Sequence, residues 1–154
     1  MSVRPILKHP DPVLRVVCDE VSVFDGALAE LAQDMLETMY GAEGRGLAGP
    51  QIGITQRIFV FDAVWKEGPA APVVCINPVI EPVGDSTQSF EESCLSIPDH
   101  PVEVTRPAVV RMRWQDVTGA AHEAQFDGAA AVVVQHEADH LVGRLCIDYE
   151  EAAP

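Results

Sequence analysis

The segment 128–141, GAAAVVVQHEADHL, constrains this chain more than any other, because an apolar run turns polar within one helix-forming stretch. Asp127 is a natural N-cap, and the continuous AAAVVV half predicts a helix buried on most sides. Its polar end, Gln135-His136-Glu137-Ala138-Asp139-His140, then falls inside the fold. Positions four apart on a helix differ by about 40°, so His136 and His140 share a face and can grip one divalent ion. Glu137 lies about 100° round from His136, badly placed as a ligand but well placed to overhang the open side as an acid/base. Without a cation, a buried cluster of His, Glu, Asp and His carries unsatisfied groups at high cost.

A catalytic site of this kind needs a third protein ligand and an open position. Cys146, six residues after His140, copies the HExxHxxGxxH spacing with cysteine in the last place, yet it stands in an apolar run, RLCIDY. Cys94 stands among polar residues in FEESCLSIP, ahead of Pro98, which predicts a loop that can present a thiolate. The residues favour Cys94, with Cys146 as the standing alternative. The four cysteines stand singly, as buried small side chains or ligands rather than disulfide partners.

The rest of the chain supplies a scaffold. Leu28, Leu31, Ala32, Met35, Leu36, Met39 and Tyr40 repeat at three-four spacing, predicting an amphipathic core helix capped by Asp25 and stopped by Gly41. Residues 1–24 read as an extended arm with one turn of helix. Segment 41–53, with five glycines and one proline, reads as a tight loop. Strands are expected at 57–62, 73–80, 102–105, 108–115 and 121–126, with a hairpin turn at 117–121. The expected fold class is α+β, antiparallel sheets around a central HExxH helix, in one domain spanning 1–154. A net charge of −14 with scattered basic residues argues against direct nucleic-acid binding. No apolar stretch is long enough to cross a membrane, and charges and prolines interrupt the N-terminus, so the expected location is the cytoplasm.

Three ordered segments, GRGLAGPQ, ESCLS and QHEADH, resemble the signature motifs of peptide deformylases, GxGLAAPQ, EGCLS and QHExDH. PDPVLR near the N-terminus and HLVGRLCIDY near the end also look like that family. The resemblance implies a metal held by Cys94, His136 and His140, commonly Fe(II), with Zn(II) or Ni(II) able to replace it. It implies hydrolysis of the N-formyl group from the initiator methionine of nascent chains at the ribosome, with Glu137 moving the proton. The oxyanion would meet the Gln51 amide and the Leu95 backbone N–H. Gly46 would admit the substrate backbone as an added strand, and Val132, Val133 and Leu95 would receive the methionine. Arg106 is expected to pair with Glu92 or Asp139 and fix the cysteine segment against the helix. A monomer is expected.

Four positions depart from the family pattern. Ser93 replaces glycine and is expected to strain the backbone if that position requires a glycine-only angle. Gly49 replaces alanine and is expected to loosen the loop carrying Gln51. Arg45 stands where an aliphatic residue lines the substrate channel, and Pro101 where many relatives turn a basic residue toward the substrate. These changes leave a second reading, a divergent paralogue binding metal or formylated peptide with little turnover. A third is a zinc endopeptidase using Cys146 or a distant acid as third ligand.

Overall fold

The computed structural model describes residues 2–151, with side chains through Glu150. Helix α1 is Gly26–Gly41, β1 is Gly46–Ala48, β2 is Ile58–Phe61 and β3 is Val73–Pro82. Strands β4 (Thr87–Cys94), β5 (Ile97–Pro107), β6 (Val109–Gln115) and β7 (Ala121–Asp127) follow, then α2 (Gly128–His140) and the short α3 (Ile147–Glu151). The strands form a five-stranded antiparallel sheet, ordered β1-β2-β3-β6-β7, and a two-stranded antiparallel sheet of β4 and β5. This is the expected α+β architecture.

Strand β2 shows how the core is organised. All four of its residues are buried, because strand side chains alternate between faces and both faces are covered. Phe59 and Phe61 join Ala131, Val134 and Leu141 of the α2 layer, while Ile58 and Val60 join Leu31, Met35 and Met39 of α1. The Asp25 carboxylate accepts from the Leu28 N–H at 3.0 Å and so caps α1 as expected, a bond worth about 1 kcal/mol.

Other expectations are corrected. Asp127 occupies the N-cap position of α2 but makes no capping hydrogen bond with its side chain. Segment 41–53 holds β1 and a 3-10 turn, Gly49–Ile52, rather than irregular loop alone. Strand 102–105 is the middle of a longer β5, and β4 was not expected at all, so Cys94 ends a strand instead of sitting in a loop. Val132 and Val133 are only half-buried, since that side of α2 faces a cleft rather than packed core.

Candidate metal centre

Cys94, His136 and His140 are all buried, and their donor atoms lie within 4.8 Å of one another. Cys94 Sγ stands 3.5 Å from His140 Nε2, and two such donors of a tetrahedral ion would be about 3.6 Å apart. Cys146 is buried beside Cys94 in a small apolar cluster with Val102 and Val104, but it does not join the converging donors. Geometry therefore groups Cys94, rather than Cys146, with the two histidines in a cluster that could hold a metal ion.

The surroundings orient these donors. Glu92 lies two residues before Cys94, on the same face of β4, and both are buried. Its Oε1 lies 2.9 Å from His136 Nδ1, which leaves Nε2 as the coordinating nitrogen. Arg106 donates to both oxygens of Glu92, at 2.6 and 2.9 Å, and to Asp139 Oδ2 at 2.9 Å. It thus pairs with both expected carboxylates and ties β4 and β5 to α2. Tyr149 of α3 closes the cluster, donating to Asp139 Oδ2 at 2.7 Å and accepting from Arg106 at 3.2 Å.

Burial would raise the Glu92 pKa, but the bonds from Arg106 and His136 outweigh it and hold the carboxyl below its usual range. Burial would lower that of His136, but the negative potential of Glu137, with Cys94 and Glu92, holds it well above the usual value. A field that favours positive charge there also favours a cation. His140, by contrast, is lowered by burial and by the His136 and Arg106 charges, as suits a neutral ligand. Burial pushes Glu137 up to about 7, against the pull of His136. Among the described residues, buried Glu137 Oε1 has no hydrogen-bond partner. One cysteine sulfur, two imidazoles and an unpartnered carboxylate oxygen suit a divalent Fe, Zn or Ni ion.

The site opens into a cleft of about 660 Å³, whose walls include Arg45, Gly46, Gln51, Leu95, Val132, Val133 and Glu137. Every residue expected to bind substrate therefore lines one cavity. Gln51 accepts from the Ala48 N–H at 2.9 Å through Oε1, and its Nε2 donates to Ser96 Oγ at 3.1 Å, with Cys94 Sγ at 3.8 Å. Its amide is thereby held over the ligand cysteine. The Leu95 side chain packs across Gly44, where an added Cβ would stand 2.7 Å from Leu95 Cδ1. Sequence reasoning missed the Glu92 bond to His136 and the Ser96 bond to Gln51, for neither of which a sequence signal stands out.

The structure places each of the four departures. Ser93 lines the cleft in extended β4 and is not among the residues with positive φ, so serine is unstrained there. Gly49 does not loosen its loop. It is buried, its carbonyl accepts from the Ile54 N–H at 2.9 Å, and a Cβ would stand 2.7 Å from the Ile54 oxygen. Pro101 is exposed in β5 and is not part of the cleft wall. Arg45 does line the cleft, bound to Glu67 and to the Ala63 carbonyl.

An HExxH helix, a strand-end cysteine and a buried carboxylate opening on a peptide-sized cleft define a mononuclear metallohydrolase of the α+β class. Comparison with known proteins makes this specific. A sequence model described as polypeptide deformylase matches residues 3–153. The peptide deformylase of Zymomonas mobilis is 46% identical over 153 residues, covering 97% of this chain and 86% of its own. That of Bartonella tribocorum is 47% identical over 151 residues, covering 97% and 85%. The crystal structure of peptide deformylase from Thermotoga maritima superposes with a TM-score of 0.89 at 42% identity, covering 96% of this chain and 97% of that one. A Met-Ala-Ser-bound class I type b peptide deformylase from Acinetobacter baumannii gives 0.89 at 32% identity, covering 96% and 98%. The chain belongs to the polypeptide deformylase family.

Proposed function

We propose that this chain hydrolyses the N-formyl group from the N-terminal methionine of newly made polypeptides, as one functional unit spanning residues 1–154. The observation that carries the reading is the convergence of Cys94, His136, His140, Glu137 and Gln51 at the cleft, beside the edge strand β1. Cys94, His136 and His140 would hold one divalent ion, Fe(II) in the cell and Zn(II) or Ni(II) as substitutes. Such an ion acidifies water and polarises the formyl carbonyl.

The protein's own groups account for the remaining work. Arg45 O accepts from the Asp62 N–H at 2.8 Å, and hydrogen-bonded pairs alternate along an antiparallel ladder. That alternation turns the N–H and C=O of Gly46 away from β2, available to a substrate strand. The methionine opposite Gly46 then directs its side chain toward Val132 and Val133. Glu137 takes a proton from water as the water oxygen adds to the formyl carbon. The Gln51 amide and the Leu95 N–H, which has no backbone acceptor among the described residues, receive the oxyanion. Glu137 passes the proton to the methionine nitrogen as the C–N bond breaks, giving formate and a free amine.

The protein acts as a cytoplasmic monomer on nascent chains at the ribosome. Among the described residues, no helix is long and apolar enough to cross a membrane. Anaerobically purified, iron- or nickel-loaded protein should release formate from formyl-Met-Ala-Ser, and Glu137→Ala should not. No formate from folded, fully metallated protein would sink this reading in favour of a paralogue with little turnover.

A further inference from the structure

Arg45 is a departure from the family pattern whose side chain lines the cleft in an ion pair with Glu67. Side chains alternate along β1, and the side of Gly46 that a Cβ would occupy faces Glu137 on α2. Arg45 directly precedes β1 and continues its ladder, its carbonyl accepting from the Asp62 N–H, so its side chain projects to the opposite face. Glu67 holds it there, accepting from both terminal nitrogens, while Arg45 Nη1 also donates to the Ala63 carbonyl at 2.7 Å. Both Arg45 and Glu67 line the cleft, with side chains 33% and 60% exposed. The pair neutralises itself, and Arg45 Nε–H keeps no acceptor among the described residues.

We propose that the Arg45–Glu67 pair is a specificity determinant, selecting formylated peptides whose residue after the methionine carries a neutral hydrogen-bond acceptor. This rests on the deformylase reading and names its substrate class more closely. In a strand added beside β1, residues opposite one another direct their side chains to the same face. If methionine stands opposite Gly46 and points toward α2, the next residue points to Arg45's side. An aliphatic group there covers a half-exposed ion pair and strips water from it, which is unfavourable. An asparagine or glutamine oxygen can take the Nε–H instead. An aspartate finds Arg45 already neutralised and meets the Glu67 carboxylate, so a second negative charge gains nothing.

The test compares formyl-Met-Xaa-Ser peptides with Xaa as Asn, Asp or the near-isosteric Leu. kcat/KM is measured with the metal-loaded enzyme. Binding is measured by calorimetry on metal-loaded Glu137→Gln protein. Ratios within each protein cancel any overall loss of activity. The native protein should favour Asn over Leu about fivefold, the worth of one hydrogen bond. Arg45→Leu should abolish or invert that preference, and Glu67→Gln should raise the Asp-over-Asn ratio about tenfold by freeing the guanidinium. Unchanged ratios in both folded variants would overturn the proposal. If the binding ratios shift as expected but native protein releases no formate from any peptide, the deformylase reading fails while the selectivity stands.

Discussion

A Cβ built on Gly46 would stand 2.5 Å from Oε2 of Glu137 and 2.8 Å from its Cδ. This strand glycine therefore leaves the space in which the Glu137 carboxylate, the proposed acid/base, rests. Gly46→Ala should push Glu137 out of position and lower kcat by about 100-fold, the scale of a misplaced acid/base. Bound metal should stay stoichiometric, because none of the three ligands moves. Metal analysis beside steady-state kinetics checks this, and unchanged kcat would show that Glu137 works from another position.

The Arg106 cluster makes a stability prediction. Arg106 and Glu92 are both nearly fully buried, and Glu92 is the second partner of His136. Arg106→Leu would leave a buried carboxylate without its counter-charge, costing roughly 3–5 kcal/mol. Tyr149→Phe should cost only about 1 kcal/mol, the bond to Asp139. The sign with pH follows from Glu92, whose pKa is lower folded than unfolded. Its contribution is present above the ordinary glutamate range and is lost as pH falls through the folded value. Denaturant unfolding of both variants at neutral and acid pH measures these terms, and a smaller loss for Arg106→Leu than for Tyr149→Phe would refute the pairing.

These same elements show what the sequence could and could not reveal. Both long helices were legible, α1 from its three-four apolar spacing and the Asp25 cap and α2 from its continuous apolar run, and three ordered motifs marked the site. Strand β4 was not legible. In TQSFEESC only Glu92 and Cys94 are buried, so the inward positions are polar and no apolar alternation exists to read. β5 was read only in part because prolines interrupt it and one inward position is Arg106, in register with Val102 and Val104. The effect of Gly49 was also invisible, because it depends on where residues 54–58 pass, not on the loop's own composition.

Glu137 sets the expected pH profile. Burial raises its pKa to about 7, and a general base must be ionised to act. kcat/KM should therefore rise with pH and fall about tenfold per unit on the acid side. A bound dication favours the carboxylate, so the limb of the loaded enzyme should lie below 7. Profiles from about pH 5 to pH 9 for native protein and Glu137→Gln decide the matter. The variant's residual activity should lack the limb, and an identical limb in both would assign it to another group.

The last prediction separates two cysteines that share one apolar cluster. Cys94 supplies a donor that converges with His136 and His140, whereas burial raises the Cys146 thiol to about 11 and keeps it protonated. Cys94→Ala should abolish stoichiometric metal and activity together. Cys146→Ala should keep both and cost about 1–2 kcal/mol of stability for the cavity left among Val102 and Val104. A cobalt-substituted protein gives an independent readout, since the thiolate-to-cobalt charge-transfer band should vanish only in the first variant. Metal retained by Cys94→Ala and lost by Cys146→Ala would instead restore the endopeptidase ligand set, in which the last position of HExxHxxGxxH carries the sulfur.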